Sequence, residues 1–257
     1  MITTLKEEIK IKEVGIKEYL NNNGIDITEN YFIYNKSIDK KEAISQVILM
    51  VNLHKILLGY RGNCLTRIGS SIGKEVESYK VQVKRLQKDY DKIIETGMKN
   101  NLDKLIISDG KRILQQATEV IDYIYNHNYF GIIERSMNRE EICIGRADQG
   151  NLTNKPNIQI GSIKYVSYNL VEEDLYKYIK RLQRKNCKID EEELIKTFIY
   201  ESHLSNDSFF YLKGLNSYPK DSLRIWERYR ANKKSKTEEE FLMQFKKSIE
   251  YESKKFI

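Results

Sequence analysis

The chain has 257 residues, 40% of them apolar and 32% charged, with 44 Lys and Arg against 37 Asp and Glu for a net charge of +7. That length allows one large domain or two small ones, and the modest charge excess, spread over many segments, reads as solvated surface rather than a dedicated nucleic-acid face. The longest apolar run, Val47 to Val51, is far too short to cross a bilayer, and the opening MITTLKEEIKIKEV is too charged for a signal peptide.

Residues 1 to 36 are ambiguous. Ile9, Ile11 and Val14-Gly15-Ile16 suit a strand or a short helix, Asn21 to Gly24 a turn, and Tyr31 to Tyr34 a short strand. Lys41 to Leu58 reads as a helix apolar on most of its surface, hence central, with His54 as a hydrogen-bonded core histidine. The following loop, Gly59 to Gly69, carries Arg61, Asn63 and Arg67, but it follows a helix and so lacks the setting of a phosphate-binding P-loop. Ser70 or Ser71 is placed to cap a long helix. In it Ile72, Val76, Tyr79, Val83, Leu86, Tyr90 and Ile93 recur at alternating four- and three-residue steps until Gly97. That stripe suits packing within the domain better than a coiled coil with a partner. Asp109 is placed to cap the next helix, which ends near Asn126-His127-Asn128.

Ile142 to Lys180 is the turn-rich centre. Ile158 and Ile160 alternate with polar residues before Gly161-Ser162, and Ile163, Tyr165 and Ser167 alternate after it, which predicts a small β-hairpin. Asn169, with Glu172 three places on, suits a capping box for a helix carrying Val171, Leu175, Tyr178, Ile179 and Leu182. Beyond it the chain reads as helix. Asp190 opens one segment, Phe209 to Leu212 lies in a second, Pro219 starts a third, and Thr237 with Glu240 caps the last. Cys64, Cys143 and Cys187 are odd in number and far apart, which favours a reducing cytoplasm. Their spacing offers no chelate with His54, His127 or His203, so neither a metal nor a cofactor is expected. The 18 tyrosines read as compositional bias.

The central stretch resembles the catalytic region of the CotS-type spore coat proteins of endospore-forming bacteria, which are similar in fold to aminoglycoside phosphotransferases and choline kinases. The family's His-Gly-Asp run is matched by Ile144-Gly145-Arg146, and Asn151 stands where the family's Asn follows the Asp by five. The family's Ile-Asp-Phe-Asp is matched by Val166-Ser167-Tyr168-Asn169, so the frame is present without its carboxylates. Leu53-His54, Ser217-Tyr218-Pro219 with Trp226 and Tyr229, and the helix from Glu238 to Phe256 extend the likeness over roughly residues 40 to 257.

The resemblance implies a mainly α fold, the helical C-lobe of a kinase-like protein with one small β-hairpin. Residues 37–257 would form that lobe, and residues 1–36 would be a short remnant of the N-lobe. It also implies degenerate site positions at Ile144, Arg146, Asn151, Ser167 and Asn169, with no catalytic base and no Mg²⁺. Arg146 would pair with Asp148 or Asp174 and stiffen the loop. The expectation is therefore a non-catalytic, pseudokinase-like structural protein. It would be made in the mother-cell cytoplasm, placed in the spore coat and bound to other coat proteins or to itself, with no membrane partner. Lys177, Lys180, Arg181, Arg184 and Lys185 are the candidate contact surface. Two alternatives stand beside it: a small-molecule phosphotransferase with an unrecognised motif, and a basic helical nucleic-acid-binding module.

Overall fold

The computed structural model describes residues 15–34, 37–62, 68–231 and 237–252. Ile9, Ile11, Val14, Asn63, Cys64, Arg67 and Phe256 lie outside these. In chain order the elements are α1 (Ile16–Asn22), β1 (Asp26–Ile27), α2 (Lys40–Leu57), β2 (Gly69–Ser70), α3 (Lys74–Thr96), α4 (Asn101–Asn126) and α5 (Tyr129–Arg139). They continue as β3 (Ile142–Cys143), β4 (Leu152–Asn154), β5 (Ile158–Ile160), β6 (Ser167–Tyr168), α6 (Glu172–Arg184), α7 (Glu191–Ser202), α8 (Asn206–Ser217), α9 (Lys220–Arg230) and α10 (Glu238–Glu252). Among the described residues the architecture is mainly α, as expected, with two small three-stranded sheets where a single β-hairpin was expected.

Two compact units interleave along the chain, residues 1–72 with 131–208 and residues 73–130 with 209–257. The first unit is built on α2. Asp39 accepts from the Glu42 amide, and Glu42 reaches back to the Asp39 amide, which fixes the helix start. Ala43, Val47, Met50, Leu53 and Leu57 are fully or almost fully buried along it, and it packs on α7. One sheet runs β1-β5-β4, with β1 parallel and β4 antiparallel to β5. The other runs β2-β6-β3, with β2 parallel and β3 antiparallel to β6.

The hairpin therefore exists, but one strand earlier than its sequence suggests. Ile158–Ile160 pairs with Leu152–Asn154, whereas residues 163–166 turn and deliver Ser167–Tyr168 to the other sheet. The alternation of Ile163, Tyr165 and Ser167 is met by a turn closed from the Val166 amide to the Ile163 carbonyl.

In the second unit α3 packs along α4, and α9 and α10 complete the bundle. The predicted stripe of α3 is buried at Val76, Tyr79, Leu86 and Ile93, so it serves packing within the unit. Two helix starts differ from expectation. Gly73, not a serine, precedes α3, because Gly69–Ser70 and the Ser71 amide pair with β6. Helix α4 begins at Asn101, with Asn100 accepting from the Asp103 amide, rather than after Asp109. Gly110 marks close packing inside that helix: a Cβ there would lie 3.1 Å from Tyr90 and 3.2 Å from Trp226.

Candidate functional site

The loop between β3 and β4 is held from beneath by Asp174 in the first turn of α6. Its Oδ2 accepts from the Ile144 amide at 2.9 Å, and its Oδ1 accepts from the Gly145 amide at 2.9 Å. Oδ2 also faces His54 Nε2 at 3.0 Å, and because a carboxylate only accepts, that nitrogen carries the proton. Gly145 sits at φ +75°, and a Cβ there would come within 2.8 Å of the Tyr165 backbone, so this turn requires glycine. Burial pushes the Asp174 carboxyl up. The hydrogen bond from His54, with Lys177 and the loop amide, outweighs it and holds the group below the usual carboxylate range.

Asn151 closes the far end of the loop. Its Nδ2 donates to the carbonyls of Arg146 at 2.8 Å and Ser162 at 3.1 Å, while its Oδ1 accepts from the Ser162 amide at 2.8 Å. Asp148 accepts from the Gly150 amide at 2.8 Å, from Arg146 Nε at 3.0 Å and from Arg181 Nη1 at 2.9 Å. Of the two pairings the sequence offered Arg146, the structure forms the one with Asp148. Burial lowers the affinity of Arg146 for its proton, but the Asp148 carboxylate more than restores it, so the guanidinium stays charged.

The segment before α2 lies on this loop and its hairpin. The Thr28 amide donates to Ile160, and the Phe32 amide donates to the Gly150 carbonyl at 2.9 Å. The Arg146 guanidinium stands 4.1 Å over the Tyr31 ring. Lys185 Nζ donates to the Tyr34 hydroxyl at 2.7 Å.

At the two positions where the resemblance implies metal ligands, the side chains are committed elsewhere. Ser167 Oγ is bonded to Ser71 Oγ at 2.8 Å, and both ends of the Asn151 amide serve the loop. These residues do not fit a carboxylate-held Mg²⁺. Asn169 does not cap α6. Residues Leu170 and Val171 intervene, and its Nδ2 donates to Glu173 Oε2 at 2.7 Å instead. Of the basic residues on α6, Lys180 is 2% exposed and Arg181 reaches Asp148. Lys177 lies 3.7 Å from Glu173.

Sequence spacing hides the cluster beneath the loop. His54 on α2, Cys143 on β3 and Asp174 on α6 are all buried, and their ligand atoms lie within 4.8 Å of one another. This overturns the expectation of a scaffold emptied of chemistry-bearing groups. With it fall the non-catalytic, pseudokinase and spore-coat reading and the expectation, drawn from cysteine spacing, that no metal-ligating set exists. Cys143 and Asp174 stand 31 residues apart and His54 a further 89 away, too far for a motif to link them.

No helix among the described residues is long and apolar enough to cross a membrane. No family model matches the chain, and no curated protein does. Among solved structures, the chain is similar to an aminoglycoside phosphotransferase from Alicyclobacillus acidocaldarius, at 10% identity and a TM-score of 0.66, over 90% of this chain and 67% of that one. At this identity the likeness speaks for the fold and carries nothing of a spore coat. The chain has a kinase-like fold of the aminoglycoside phosphotransferase type.

Proposed function

We propose that this chain is a small-molecule phosphotransferase in which guanidinium groups, rather than a carboxylate-held metal ion, meet the phosphoryl charge. The observation that carries the reading is the loop 144–151 itself. It is locked by Asp174 and Asn151, and it presents Arg146 where the family places a carboxylate. Phosphoryl transfer runs through a loose transition state, with charge spread over the equatorial oxygens, so positioning and neutralisation do most of the work. Arg146 and Arg181 share the single carboxylate of Asp148, which leaves positive charge in excess at the loop. Both guanidiniums are partly exposed, at 25% and 34% of their side-chain surface. A planar guanidinium can grip two phosphate oxygens at once.

The test is transfer of labelled γ-phosphoryl from ATP to a panel of amino sugars and amino alcohols, with calorimetry of ATP binding. The expected result is turnover that falls by about 10³-fold in Arg146→Ala, as for an arginine that stabilises transition-state charge. Stability in that variant should fall by about 2 kcal/mol at most, since the buried Asp148 keeps Arg181 and the Gly150 amide. Absence of both ATP binding at millimolar concentration and any transfer, with or without added Mg²⁺, would dismiss the reading.

A further inference from the structure

We propose that His54, Cys143 and Asp174 form a buried site for a soft divalent cation, zinc foremost. The inference is independent of the transfer reaction. One imidazole nitrogen, one sulfur and one carboxylate oxygen lie within 4.8 Å of one another. Tetrahedral zinc, with bonds of about 2.0–2.3 Å, needs its ligand atoms roughly 3.3–3.8 Å apart, so small side-chain movements close the set. A thiolate with an imidazole selects zinc, cobalt or copper and discriminates against magnesium and calcium. The ligands come from a helix, a strand and a helix start. The carboxylate is already aimed by two loop amides, which is the support that a metal-binding carboxylate requires.

A second observation points the same way. His54 Nδ1 and Ser202 Oγ are buried with no hydrogen-bond partner, and Glu141 Oε1, paired with Arg139 Nε only at 3.5 Å, accepts no hydrogen bond either. All three residues line one cavity of about 20 Å³, enough for a single water. With Nε2 protonated toward Asp174, Nδ1 brings no donor to a cavity that already holds the Glu141 acceptor. A cation on Nε2 reverses this: the imidazole proton moves to Nδ1, which then donates through the cavity water toward Glu141. Metal-bound histidines are ordinarily oriented in this way by an acceptor on the other nitrogen.

The proton balance is simple. Cys143 loses its thiol proton, now donated to the Leu170 carbonyl at 3.0 Å, and that proton leaves to solvent. His54 stays neutral and only changes tautomer. One thiolate, one carboxylate and one divalent cation sum to zero charge, which suits a closed interior.

The experiment is titration of the metal-free full-length protein with Co²⁺, followed by Zn²⁺. The expected result is one Co²⁺ per chain, a near-ultraviolet thiolate-to-cobalt band, displacement by one Zn²⁺ and release of about one proton per zinc. Cys143→Ser removes the band, while Cys64→Ser and Cys187→Ser keep it. Loss of all Co²⁺ on desalting, or a band that survives Cys143→Ser, overturns the proposal. Binding to the unaltered protein decides the matter even if Cys143→Ser fails to fold. The titration does not measure turnover, so its failure and the failure of the phosphotransferase reading are separate outcomes.

Discussion

Two buried carboxylates in this molecule do the same chemical job in different settings. In the first unit Asp174 grips the amides of Ile144 and Gly145, which belong to an irregular loop. In the second unit Glu252 accepts from the amides of Asp221 and Ser222, both at 2.9 Å, and from the Ser222 hydroxyl at 2.7 Å. Those amides open α9, whose N-cap Pro219 offers no side-chain cap, so Glu252 satisfies donors that every helix start leaves over. A helix would form there in any case. The conformation of loop 144–151 has no ladder to enforce it, and a carboxylate backed by His54 supplies the constraint. Where the grip falls on a helix it serves stability, and where it falls on a loop it serves the placement of Arg146 and Asp148.

The largest expected effect separates the two. Asp174→Asn removes the charge facing His54 and leaves one loop amide without an acceptor. Losing a buried carboxylate that accepts three hydrogen bonds costs about 3 kcal/mol, read as a lowered urea midpoint. Exchange protection of the Ile144 and Gly145 amides should collapse with it. Glu252→Ala should cost somewhat less, about 2 kcal/mol, because it leaves the buried Asp221 and Ser222 amides without their acceptor but touches no partner like His54. It should leave protection in loop 144–151 intact. Equal loss of loop protection in both variants would erase the distinction drawn here.

Acid sharpens the contrast further. Glu172 and Asp174 both titrate below their ordinary range. Burial opposes this in each case, and the outweighing partners are Arg135 for Glu172 and His54 for Asp174. A depressed carboxyl contributes stability that is complete above its unfolded value, about 4, and is lost as pH falls through the lower folded value. Urea midpoints should therefore drop steeply below about pH 4, and Asp174→Asn should flatten that slope. The smallest effect belongs to Gly110→Ala in α4. Overpacking against Tyr90 and Trp226 is offset in part by better helix propensity, for a net loss of about 1 kcal/mol by thermal unfolding.

The helices were legible because their signals are local. The Asp39 box, the Asp190 cap and the stripe through Val76, Tyr79, Leu86 and Ile93 each lie within a few turns of chain. The strands were harder, since two- and three-residue strands carry too little alternation to fix a partner. Ile163, Tyr165 and Ser167 alternate as a strand does and yet form a turn. Gly110 carries no signal of its own in the sequence, because only its neighbours in space, Tyr90 and Trp226, explain it. Within the site, Arg146 with Asp148 was readable two residues apart. His54 with Asp174 spans 120 residues, and no periodicity links positions so distant.

The interleaving of the two units bears on how the chain can be dissected. It passes from one to the other after residues 72, 130 and 208. A single protease nick therefore releases neither unit as a continuous fragment. Cleavage after residue 72 would leave strand pairs such as β1 with β5, and the contact of His54 with Asp174, to hold the first unit together without a covalent link. Truncation from either end likewise removes part of one unit while sparing the other, so deletion mapping of function will track where the chain crosses and not where a boundary falls.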